Sequence, residues 1–166
     1  MGSATSDVRL GRFVLAAVGA LLLGAGAVAP WVTVGIPNES AHTTLRGTDL
    51  PDGMVVLVCA VLFLGLLIAG RVMRSRAARQ GIAVGGGLAG AVAGSLALAF
   101  LIGGKDRDVV VSALGVPRTV WAVVGAFRDP RFGVHLVLVG AVFCVAGAVW
   151  TLRTPSFDPA ARNLAA

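Results

Sequence analysis

Four stretches of the chain, residues 13–30, 54–70, 82–102 and 134–152, contain no Asp, Glu, Lys or Arg. As helices rising 1.5 Å per residue they would span roughly 26 to 31 Å, which matches a hydrocarbon core of about 30 Å. A water-soluble helix needs a polar face, and none of the four has one. The pattern predicts an all-α integral membrane protein, a four-helix bundle with short interfacial helices in its second outer loop. In a chain of 166 residues, 57% hydrophobic and 13% charged, this leaves tails 1–12 and 153–166, a linker 71–81, and outer loops 31–53 and 103–133. Neither loop is large enough to form an independent globular domain.

The linker sets the expected orientation. It carries Arg71, Arg74, Arg76 and Arg79 and no acid, and a short loop this basic stays in the cytoplasm. Four spans then put both termini on that side, where Arg9, Arg12, Arg153 and Arg162 lie near the helix ends. Inner segments hold eight Lys or Arg in 37 residues, against six in 54 outside. The expected location is the plasma (inner) membrane, crossed several times. Nucleic acid is not an expected partner despite a formal charge of +6, because scattered helix-end arginines fix topology and meet anionic lipid headgroups.

Two segments admit other readings. Arg9, Arg12, an apolar run and Ala27-Val28-Ala29 resemble a cleavable secretory signal. Pro30 fits the processing site poorly, the run is long, and three spans follow, so retention is expected. Residues 109–127 are apolar enough for a fifth span, but Gly115, Pro117 and Arg118 stand at their centre. An arginine at mid-bilayer costs about 2.5 to 3.5 kcal/mol, and a proline breaks the helix ladder. Two interfacial helices fit better, the second laying Val120, Trp121, Val124 and Phe127 against the headgroup boundary.

Lipid tails give apolar helices no hydrophobic reason to associate, so small residues that admit close backbone contact must supply it. The third span carries Gly86, Gly90 and Gly94 at spacing four, beside Ala83, Gly87, Ala91 and Ser95. The first contributes Ala16, Ala20 and Gly24, and the fourth Gly140, Cys144 and Ala148. A compact bundle with the third helix near its centre is expected. Intramolecular packing is the simpler use of these stripes, and a homodimer face the alternative.

Proton relays, ion pathways and most coupled transporters need ionisable groups in the membrane. The spans have none, and His135 at the mouth of the fourth is the nearest case. Cys59 and Cys144 are within spans, where thiols act as small apolar packers and a disulfide is not expected. No CxxC, HExxH, phosphate-cradling loop or nucleophile elbow occurs. Catalytic residues, cofactors and bound metals are therefore not expected.

The loop 31–53 is where a function would most plausibly sit. Glu39, His42, Asp49 and Asp52 could be imagined as a cation site, but their spacing matches no known loop. Residues 49–53, Asp-Leu-Pro-Asp-Gly, are more economically a turn and cap that start the second span. Trp31 and Trp121 fit an outer aromatic belt and Trp150 an inner one. The outer-loop candidates for interaction are Trp31, Glu39, His42, Asp49, Asp52, Arg118 and Trp121.

The runs Ala29-Pro30-Trp31-Val32, Gly47-Thr48-Asp49-Leu50-Pro51-Asp52-Gly53 and Arg131-Phe132-Gly133-Val134-His135 resemble the small four-span membrane proteins common in high-GC actinobacteria. The Ala, Gly, Val and Arg bias, with a single lysine and no tyrosine, agrees with high-GC coding. A similar family, the tryptophan-operon-associated membrane proteins, shares the four-span layout and a loop of the Arg-x-Gly-Thr type, against which residues 44–48 here read Thr-Leu-Arg-Gly-Thr. Those proteins usually end in a basic, aromatic tail, whereas this chain ends SFDPAARNLAA. Neither resemblance implies a biochemical activity.

Strong packing motifs without catalytic chemistry predict a non-enzymatic accessory or structural membrane protein. Its expected partners are membrane lipids and a membrane protein or a second copy of itself. A small carrier or channel subunit for a lipid or apolar solute is the alternative.

Overall fold

A computed structural model describes residues 3–35, 42–72, 76–103 and 127–153. Four long helices account for most of them: α1 (Ser3–Val28), α2 (Pro51–Val72), α3 (Arg76–Gly103) and α4 (Phe132–Arg153). Three are long and apolar enough to cross a membrane, over Pro51–Gly70, Gln80–Ile102 and Phe132–Arg153, and α1 adds a shorter apolar stretch, Phe13–Val28. The boundaries follow local chemistry. Leu50 is extended and Pro51 opens α2, at the position where a missing N–H costs nothing. Asp52 in the first turn of α2 complements the helix dipole. The segment expected as a basic linker, 71–81, is largely helical, since α2 runs to Val72 and α3 starts at Arg76. Alanine and arginine are strong helix formers, which outweighs the polar composition that suggested a loop. Arg71 closes α2, and Arg76 and Arg79 open α3; Arg74 lies outside the described residues.

The helices form a ring in which each packs chiefly on two others, in the order α1, α2, α3, α4 and back to α1. The expectation of a central third helix is corrected: the tightest junctions both belong to α4, on α1 and on α3. The reason is a repeat of seven. Gly133, Gly140 and Gly147 of α4 are buried; Gly140 and Gly147 face α1, where Gly19 and Gly26 have the same spacing, and Gly133 faces residues 29–31 just beyond it. A seven-residue repeat keeps one stripe facing its partner along a gently supercoiled pair. A methyl added at Gly140 would stand 2.8 Å from the Leu23 backbone nitrogen and 2.9 Å from the Gly19 carbonyl oxygen. One added at Gly26 would stand 2.8 Å from the Val137 nitrogen.

The stripe expected on α3 divides between two neighbours. Gly90 and Gly94 face α4, where added methyls would stand 2.7 Å from Cys144 Cβ and 3.0 Å from Ala141 Cβ. Gly86 instead faces α2 and takes the Phe63 ring. Gly24 of α1 lies over Ala60 of α2 at an ordinary 3.8 Å, and Ala20 is buried. Cys144 is fully buried between Gly19 and Gly90, a small wedge shared by α1, α3 and α4, and like Cys59 it is a free thiol. The outward surface is aliphatic, with Leu62, Leu88, Val142 and Ile102 all exposed.

The all-α expectation is corrected at one end of the ring. Three strands, β1 (Pro30–Gly35), β2 (His42–Arg46) and β3 (Phe127–Pro130), form an antiparallel sheet in the order β2-β1-β3. Val32, Thr33, Val34, Thr43 and Thr44 are β-branched and suit extended backbone, and Pro30 ends any continuation of α1. Phe127, expected on an interfacial helix, opens β3 instead. The rest of the expected interfacial helices, with Arg118 and Trp121, lies outside the described residues, as do Glu39 and the tail 154–166.

Candidate functional site

The sheet end is where polar chemistry collects, and its centre is Trp31. Between Pro30 and Val32 the register of β1 on β2 shifts, so that Trp31 is the extra residue of a bulge. Side chains normally alternate between the two faces of a strand, and a bulge breaks that alternation. Here it allows Trp31, Val32 and Thr33, three consecutive residues, all to be buried. The indole Nε1 donates to the Gly26 carbonyl at 2.8 Å, in the last turns of α1. Its ring meets Phe100 of α3 edge-on, with centroids 5.1 Å apart at 68°. Two glycines leave it room: a methyl at Gly133 would stand 2.9 Å from Cδ1, and one at Gly47 would collide with the indole and with the Ala27 carbonyl. The aromatic-belt reading of Trp31 is thereby corrected. It has no exposed surface, because its hydrogen bond and three helices are available inside.

Beside it lies a small polar clamp. Thr33 Oγ1 accepts from Arg131 Nε at 2.8 Å and shares a hydrogen bond with Thr44 Oγ1 at 3.1 Å. The Arg131 backbone N–H donates to the Trp31 carbonyl at 2.7 Å. One arginine therefore joins the entry of α4 to the centre of the sheet through both main chain and side chain. Thr33 is only 6% exposed, so its satisfied hydroxyl matters: an unpaired polar group there would cost about 1–3 kcal/mol.

The loop residues singled out from the sequence do not converge. Asp49 Oδ2 accepts the Arg46 backbone N–H at 2.8 Å and closes the short 3-10 turn Gly47–Asp49. Asp52 is half-buried in the first turn of α2, and His42 opens β2 opposite Gly35. Asp49 and Asp52 therefore serve the turn and helix start. Among the described residues no three His, Cys, Asp or Glu side chains come together. His135 is exposed, with Nδ1 3.2 Å from the Arg131 carbonyl.

A second feature lies along the ring. An open groove of about 870 Å³ runs between α3 and α4, walled by residues such as Gly94, Leu98, Ala146 and Val149, with Trp150 and Arg153 at the end away from the sheet. Hydroxyls, one guanidinium and apolar walls can bind and position; the clamp pairs no nucleophile with a general base.

Thr33, Thr44 and Arg131 went unread as site residues, although Val-Thr-Val and Thr-Thr-Leu on either side of Pro37-Asn38 are a hairpin signal. No protein-family model and no curated protein sequence matches the chain.

Proposed function

We propose that the chain is a non-enzymatic integral membrane protein, an accessory or structural component whose four helices form a static bundle and whose sheet end presents a rigid surface to a partner. The observation that carries this is the joint between the α1–α4 seam and the sheet: Trp31, Thr33 and Arg131 tie the strands to the helix ends through one buried hydrogen bond, from the Trp31 indole, and two made by Arg131. Rigid pre-formed surfaces suit docking, because little ordering entropy is lost on binding. The backbone-close contact of Gly19, Gly26 and Gly140 favours this over a carrier, which would need helices that part. An aliphatic outer surface bearing Leu62, Leu88 and Ile102 suits lipid and would be an oversized apolar patch in water. The arginine-rich end, with Arg71, Arg76, Arg79 and Arg153, is the cytoplasmic one under the positive-inside rule.

Purification of the tagged protein at native level in mild detergent, followed by mass spectrometry of what remains bound, tests the proposal. A stoichiometric membrane-protein partner is expected. Isolation solely as a free monomer or homodimer would overturn the accessory role.

A further inference from the structure

We infer that the groove between α3 and α4 is a site for one anionic phospholipid, with an acyl chain lying along the helices and its phosphate on Arg153. The inference rests on the membrane placement proposed above. Three observations carry it. First, the groove's volume of about 870 Å³ falls within the roughly 300–1,000 Å³ of ordinary ligand clefts. Second, its α4 wall runs from Leu138 to Arg153, a rise of roughly 22 Å against about 15 Å for one leaflet's hydrocarbon. An acyl chain entering at the arginine end is therefore apolar-walled along its whole depth. Third, the groove changes character at one end only: Trp150 and the exposed Arg153 close it, an aromatic and a cation at headgroup level. Arginine holds phosphate through charge-assisted paired hydrogen bonds, and basic pockets between spans are sites for anionic headgroups. The α3 backbone brings Arg76 and Arg79 to the same end.

Charge decides against a second copy of the chain as the occupant. Two copies inserted with the same orientation and related by a two-fold axis along this groove would bring Arg153 against Arg153. A phospholipid supplies the opposite sign at that point and an apolar chain elsewhere.

Native mass spectrometry of the full chain, extracted from membranes and titrated with dioleoyl phosphatidylglycerol or dioleoyl phosphatidylcholine, reads the site directly. The wild type is expected to retain one phosphatidylglycerol about fivefold better than phosphatidylcholine. R153Q, at an exposed helix end, is expected to lose that preference. A146L, which fills the groove wall, should lose the adduct of both lipids, while V61L on the exposed face of α2 leaves it unchanged. Equal retention of both lipids by the wild type, or an adduct that survives both R153Q and A146L, overturns the site and leaves the membrane placement standing. A dimer that excludes lipid and is dissolved by A146L also overturns it. Recovery of the folded protein without detergent in the aqueous fraction overturns the membrane placement and the site together.

Discussion

The α1–α4 and α2–α3 junctions close the same ring by opposite means. Between α1 and α4, glycines meet backbone atoms of the facing helix, so the two main chains are nearly in contact at Gly19, Gly26 and Gly140. Between α2 and α3, side chains bridge the gap: Phe63 covers Gly86, and Ile82 covers Gly70. In lipid, where apolar burial supplies no net drive, the first arrangement gains dispersion contacts along a whole seam and admits no substitute. The second depends on a ring that can rotate aside. The same residue type thus has two different tolerances in one bundle, and the facing atom decides which applies.

Four glycine substitutions, two of them also paired with a second-site change, break or sharpen this contrast, all read as shifts of the unfolding midpoint of the purified protein in mixed detergent micelles. G140L should have the largest effect, about 3 kcal/mol or more, because no nearby atom is a movable side-chain end. G140A should cost about 2 kcal/mol. L22A should not relieve it, since alanine keeps the Cβ that is the one side-chain atom in reach, and Leu23 nitrogen and Gly19 oxygen remain. G86A should cost about 1 kcal/mol and much less when introduced with F63A, a coupling that a double-mutant cycle isolates. G65A should fall within about 0.5 kcal/mol of the parent, because nothing lies within 4 Å of the added methyl. Rescue of G140A by L22A, or a failure of F63A to rescue G86A, would erase the distinction between the junctions.

The helices were legible because each uncharged run exceeds the length of a buried soluble helix, and Pro51 starts the second as expected, whereas the first ends at Val28 and Pro30, read as its last residue, opens β1. The pairing of helices was not, because small residues in this chain recur at spacings of both four and seven. The stripe at four on the third span is the more regular pattern in the sequence, while Gly19, Gly26 and Gly140, at spacing seven within each helix, make the closer junction. The sheet was missed for a different reason. β2 pairs with β1 locally, but β3 is brought to β1 from the far half of the chain, and no local pattern in four residues, Phe127–Pro130, announces a long-range partner. Trp31 was assigned to the belt on residue type and position near a helix end. Its true surroundings follow from a one-residue shift in strand register, a feature that exists only once the partner strand is known. Of the polar loop residues, Asp49 was legible as a turn residue, whereas the Thr33–Arg131 hydrogen bond spans 98 positions.

That distance has a consequence for how the protein is made. Gly35 pairs with Phe127, and at ribosomal speeds of roughly 5–20 residues per second the interval between their emergence is about 5–20 s. During that interval α1 has been synthesised with its glycine face ready and its partner helix not yet translated. The Trp31 bulge cannot acquire its cover from Gly133 until α4 arrives. Folding must therefore end with a late closure, in which the arrival of α4 completes the seam and the sheet. In a W121F/W150F chain, where Trp31 is the one tryptophan left, a ribosome-stalled form ending before Phe132 should leave the indole in a more polar setting, and release of the full chain should shift its fluorescence to the blue.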